Sequence, residues 1–167
     1  GADGKARSRG AAAVRSLGTA IRGYAVRLGK EALPSDVARV LPDILRASQH
    51  ADALAGTILN EPPPPDPESP PAAGLSALRD KTARCLGMTV AGDETETIRT
   101  ATGDVEVAYE AAKAEILSAT AAGKIGFGDM EGALNAAKSL RDAARLAWKA
   151  NRRLSDARAA FGAPDTR

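Results

Sequence analysis

Between residues 61 and 71 the chain reads Glu-Pro-Pro-Pro-Pro-Asp-Pro-Glu-Ser-Pro-Pro. Each proline removes a backbone donor and fixes φ, so neither a helix nor an inner strand can pass through this run. The segment is expected to be extended polyproline, rising about 3.1 Å per residue. Its reach of roughly 30 Å matches a 20-residue helix. It therefore predicts a stiff crossover along which the chain can return beside a bundle, with no short hairpin required.

On both sides of this crossover the apolar residues recur at steps of three and four, the period of a helix with one covered face. Apolar residues make up 44% of the chain and aromatics only 3%, so the interior must be built from Ala, Leu, Val and Ile, which suits close helix packing better than sheets. The fold class expected is all-α, an antiparallel bundle of about five helices. Helix A carries Val14, Leu17, Ile21, Tyr24 and Leu28 and stops near Leu33, before Pro34; Ser35 or Asp36 can cap the next helix. Helix B turns Val37, Val40, Leu41, Ile44, Ala51, Leu54 and Ile58 inward, ends by Asn60, and is expected to kink or effectively start at Pro42. Helix C spans about 73–91 with Leu75, Leu78, Thr82, Leu86 and Val90 inward. Helix D, its start blurred by Gly103, presents Ile98, Val105, Ala108, Ala112 and Ile116. Helix E runs from near Asp129 to about Ala160 with Met130, Leu134, Ala137, Leu140, Ala144, Trp148 and Leu154 on its seam, closed by Gly162 and Pro164.

At 167 residues the chain suits one domain, placed at 11–162. Residues 1–10 are small, basic and aperiodic and are expected to be disordered, with Gly1 reading as a boundary rather than a natural start. No run of about 18 apolar residues is present to cross a bilayer. Cys85 is the only cysteine, which excludes an intrachain disulfide and is compatible with a reducing compartment, the cytoplasm by default.

The formal net charge is +2, but its distribution is uneven. Residues 1–30 hold seven Lys/Arg against Asp3, residues 138–167 hold eight against three acids, and residues 31–137 hold eight against seventeen. Packed helices could screen these charges mutually, or the basic start, with Lys5, Arg7 and Arg9, could lie beside an anionic membrane surface. Nucleic acid is not expected as a partner, because few aromatics are available to stack on bases.

Catalytic chemistry has little to build on. His50 is the only histidine, and Asp52, two residues on, falls on another helix face. A phosphotransfer domain with His50 as acceptor is the enzyme-like alternative, but His50-Ala-Asp-Ala-Leu-Ala-Gly56 lacks the Lys of the Leu-Lys-Gly step usual after such a histidine. Glu106 and Glu110, with Glu131, are the one carboxylate set at bundle-metal spacing, and read first as solvated surface. Tyr109 and Trp148 read as core or core edge, and Cys85 as a buried inert thiol. Gly123-Lys-Ile-Gly-Phe-Gly128 is a turn, lacking the spacing and Lys-Ser/Thr pair of a nucleotide loop. No catalytic residue, metal or cofactor is assigned.

Three passages resemble the PhoU-like cytoplasmic domain at the end of bacterial sodium/phosphate cotransporter-family proteins: Val40-Leu-Pro-Asp-Ile-Leu-Arg-Ala-Ser-Gln-His-Ala-Asp52, Tyr109-Glu-Ala-Ala-Lys-Ala-Glu-Ile-Leu117, and in helix E Lys138-Ser-Leu-Arg-Asp-Ala-Ala-Arg145 with Trp148-Lys-Ala-Asn-Arg-Arg-Leu154. The resemblance covers most of residues 14–160. It implies a non-catalytic regulatory or structural bundle at the inner face of the membrane, acting by helix-face contacts on a transmembrane transporter domain. A free-standing helical adaptor is the alternative, with another helical protein or an oligomer as partner. The Glu/Asp-x-x-x-Asp metal motif of related phosphate-uptake regulators is missing from helix B, where Gly56 stands four residues after Asp52.

Overall fold

A computed structural model describes residues 2–28, 34–59 and 72–162. They form five helices in chain order and, among the described residues, no strand: α1 (Ala2–Leu28), α2 (Ser35–Leu59), α3 (Ala72–Ala91), α4 (Thr95–Ala121) and α5 (Phe127–Gly162). The all-α class follows directly. The proline-rich run 61–71 and the expected end of helix A at Leu33 lie outside the described residues. No helix among the described residues is long and apolar enough to cross a membrane.

Helix ends depart from expectation in ways the local chemistry explains. α1 begins at Ala2, within the segment expected to be disordered; Ala, Lys and Arg all favour helix, which does not require periodic apolar residues. The Ala38 N–H donates to the Pro34 carbonyl at 3.0 Å, so Pro34 occupies the capping position, Ser35 is already helical, and Asp36 sits in the first turn where the dipole favours a carboxylate. α2 thus starts well before Pro42, which lies within it with its ring exposed. Gly103 does not delay α4, which starts at Thr95 with the Ile98 N–H on the Glu94 carbonyl at 3.1 Å.

The turns on either side of α4 share one design. After α3, Gly92 has φ +77°, its N–H donates to the Thr89 carbonyl at 3.3 Å, and the Asp93 N–H to the Met88 carbonyl at 3.1 Å. After α4, Gly123 has φ +66°, with its N–H on the Thr120 carbonyl and the Lys124 N–H on the Ala119 carbonyl, both at 2.9 Å. These are Schellman closures, and each needs the left-handed backbone that glycine adopts without strain.

The chain divides into two compact units: unit 1 is Gly1–Leu59 with Leu146–Arg167, and unit 2 is Asn60–Arg145. α5 contributes to both. In unit 2, α3 and α4 run antiparallel, with Lys81 opposite Asp104 at 3.7 Å and the Cys85 thiol 3.5 Å from the Thr102 hydroxyl. Leu75, Leu78, Cys85, Ile98, Val105 and Ile116 are almost wholly buried. The first half of α5 adds Ala137 and Ala144, fully buried, whose small side chains let the backbones approach. The buried Thr82 and Thr102 hydroxyls donate to the Leu78 and Ile98 carbonyls one turn back, at 2.9 and 2.8 Å, so neither is left without a partner.

In unit 1, α1 and α2 are also antiparallel. Arg22 of α1 pairs with Asp52 of α2, and Asp52 can lie against α1 because Gly18 stands there: a Cβ on Gly18 would collide with the carboxylate. Arg153 in the second half of α5 reaches Asp43 of α2 at 3.0 Å. The basic N-terminal end and the basic residues from Lys149 onward belong to this one unit. Unit 1 has 14 Lys/Arg against 7 Asp/Glu, and unit 2 has 9 against 14.

A candidate docking face on unit 1

The α1 stripe expected to face inward is only partly covered. Leu17 is 62% exposed and Tyr24 57%, while Ile21 and Leu28 are half-buried. Together with Val37, Leu41 and Ile44 of α2, the side chains of Ile21, Tyr24 and Leu28 line an open groove of about 310 Å³. Val40 in its lining is buried. The lining is apolar throughout, the Tyr24 hydroxyl excepted. Such a surface lacks the convergent polar groups that orient a polar metabolite. Its volume is about twice that of a cavity that holds benzene, room for roughly two apolar side chains of a partner.

The surroundings of the groove are basic. From Val14 to Leu28, α1 carries Arg15, Arg22 and Arg27 and no acid. Arg27 lies over the Tyr24 ring, 5.9 Å from its centroid, which places a cation beside the most exposed aromatic of the groove.

Residues singled out from the sequence are dispersed. His50 is half-buried on α2; burial first, then the positive charges of Lys149 and Arg153, hold its imidazole below the ordinary value. Asp52 faces Arg22 and Gly18, so it does not serve His50 as an orienting base. Glu106 makes a two-pronged pair with Arg145, whose Nη2 donates to Oε2 at 2.9 Å. Glu110 is exposed and lies 3.7 Å from Lys113. Among the described residues no three His, Cys, Asp or Glu side chains gather as metal ligands. Tyr109 lies half-buried under the Arg141 guanidinium, 4.4 Å from the ring centroid, and Trp148 is half-buried beside Arg152 at 5.7 Å, as expected of core-edge aromatics. Cys85 is buried, and burial pushes its thiol pKa up, which keeps it protonated and unreactive. The sequence does not reveal the groove, because periodicity marks which side is apolar and not whether a neighbour covers it.

Set against known proteins, the chain matches no family model, no curated protein and no solved structure. Fold and face together define an all-α protein of two helical units, one of which leaves an apolar, basic-flanked groove open.

Proposed function

We propose that this chain is a non-catalytic regulatory or structural domain that works by helix-face contact, and that the α1–α2 groove of unit 1 receives an amphipathic helix with acidic flanks. The observation that carries this reading is the open apolar lining between Tyr24, Leu28, Val37 and Leu41. A helix presents apolar side chains at three and four residue steps, which suits a groove between two antiparallel helices. Burying apolar surface there contributes about 25 cal/mol per Å² before the costs of association. The excess of Lys/Arg in unit 1 favours carboxylates on the flanks of the incoming helix.

The setting suggested by the three passages in α2, α4 and α5 is the inner face of a sodium-dependent phosphate transporter, where deletion of residues 11–160 should alter phosphate uptake or its response to phosphate supply. The contact itself is tested more directly. Two synthetic amphipathic helices sharing one apolar face, one flanked by Glu and one by Lys, are titrated into the chain by calorimetry. The Glu-flanked peptide should bind with a negative heat-capacity change, and Tyr24→Glu should abolish it. Absence of binding by either peptide overturns the docking reading.

A further inference from the structure

The chain itself carries a helix of the kind this groove fits. α4 buries one face in unit 2 through Ile98, Val105, Ala112 and Ile116. A second apolar stripe runs along its outer side: Val107 is 73% exposed and Leu117 45%, with Ala111, Ala114 and Ala121 exposed between and beyond them. Positions 107, 111, 114, 117 and 121 are separated by four, three, three and four residues, so these side chains share one face. Asp104 and Glu110 are exposed beside the stripe, and α4 as a whole holds five Asp/Glu against Arg99 and Lys113. An apolar ridge with acidic neighbours and an apolar groove with basic neighbours are therefore built into the same sequence, on different units.

We propose that the occupant of the α1–α2 groove is α4 of a second copy of this chain. Val107 enters between Tyr24, Leu28 and Leu41, while an acidic flank of α4 meets Arg27 beside Tyr24. The proposal rests on the docking reading above and names its partner. Groove and ridge are different surfaces, so the association is heterologous: each copy uses its groove on one neighbour and its ridge on another, and assembly proceeds head to tail until a ring closes or a filament extends. The charge balance of the two units favours this pairing over groove against groove, which would oppose two basic surfaces.

The experiment uses the full chain and two variants at exposed positions, Tyr24→Glu in the groove and Val107→Glu on the ridge, with circular dichroism confirming that both keep their helix content. Sedimentation velocity over a hundredfold range of concentration at low salt should show wild-type chain associating beyond a dimer, with weaker association in 0.5 M salt. Each variant alone should associate at least tenfold more weakly. Mixed one to one, they should form a dimer and nothing larger, because one intact groove then meets one intact ridge and the remaining pair opposes two glutamates. A wild-type chain that is monomeric throughout, a Val107→Glu variant that associates like wild type, or a mixture that stays monomeric overturns the proposal. If the monomeric chain still binds the Glu-flanked peptide, the docking reading stands and only the second-copy partner is lost. If it instead binds vesicles of phosphatidylserine and phosphatidylcholine through Tyr24 while remaining monomeric, the groove serves a membrane surface and the second-copy proposal is overturned.

Discussion

Unit 2 and unit 1 are each built from an antiparallel helix pair and a portion of α5, yet they differ in how completely the helices cover one another. In unit 2 the large side chains Leu75, Leu78, Ile98 and Ile116 are closed off from solvent, and the buried hydroxyls of Thr82 and Thr102 have partners. In unit 1 the buried set is dominated by small residues such as Ala47, Ser48 and Ala55, while Leu17 and Tyr24 stand largely in solvent. Ser48 Oγ and Trp148 Nε1 are buried there with no hydrogen-bond partner among the described residues. A closed core resists opening and an uncovered stripe does not, so stability should concentrate in unit 2 and contact surface in unit 1.

The largest effect that could break this contrast comes from truncating large side chains. Leu78→Ala or Ile98→Ala removes a fully buried group and should cost about 2–5 kcal/mol in urea unfolding, whereas Leu17→Ala should stay within about 0.5 kcal/mol. Equal costs would mean that the α1 stripe is covered after all. Trp148, the only tryptophan, belongs to unit 1, so its fluorescence follows that unit while far-ultraviolet circular dichroism follows both.

A smaller effect tests the α1–α2 crossing. Adding a Cβ at Gly18 drives it into the Asp52 carboxylate and displaces the Arg22 pair. Overpacking of this kind costs about 1–3 kcal/mol, against up to about 1 kcal/mol regained by replacing a helical glycine. Gly18→Ala should therefore show a net loss near 1 kcal/mol in Trp148-detected unfolding. Gly18→Ala combined with Asp52→Ala should recover it, since the collision is with that carboxylate; failure of the pair to couple would separate Gly18 from Asp52.

The all-α class and the approximate bounds of α3 and α5 were legible because the 3.6-residue period survives in sequence even where the residues are mostly alanine. The polyproline run marked the division between α2 and α3, and Gly92 and Gly123 mark turns that only glycine makes without strain. What was not legible depends on pairing. Whether Leu17 and Tyr24 are covered depends on which helix lies against α1, and that choice leaves no local trace. The same holds for charge: basic residues at both ends of the sequence were visible, but their joining in one unit follows from how α5 is divided. The second stripe on α4 had a signal, Val107 and Leu117 at helical spacing with Ala111 and Ala114, but it was masked by the stronger stripe of Ile98, Val105 and Ile116. Val90, read as inward on α3, is 89% exposed, because it falls in the last turn where α3 gives way to the Gly92 closure.

Two glycines in unit 2 sharpen the picture at about 1 kcal/mol. Gly103 in α4 is exposed and has open space where a Cβ would go, so Gly103→Ala should stabilise by roughly 0.5–1 kcal/mol through the lower entropy of the unfolded chain. Gly74 lies against the Ala112 backbone, 3.0 Å from where its Cβ would stand. Gly74→Ala should lose stability instead, because two helix backbones must part. Opposite signs in thermal unfolding are the expected result; a shared gain would show that the α3 and α4 backbones leave room for a methyl group at Gly74.

The smallest expected effect belongs to unit 1 and depends on pH. Burial, and then Lys149 and Arg153, hold the His50 imidazole below its ordinary value of 6.5. The folded chain therefore binds that proton less readily than the unfolded chain. Where the unfolded state binds more protons, stability rises with pH. The His50 contribution is whole above about pH 6.5 and is lost as pH falls from there through the lower folded value. Stability followed at Trp148 should fall as pH drops below about 6.5, and His50→Gln, which cannot take up the proton, should flatten that slope. The same substitution should leave Leu78→Ala and Ile98→Ala, which belong to unit 2, with their full cost. A slope unchanged by His50→Gln would separate His50 from the acid sensitivity of unit 1.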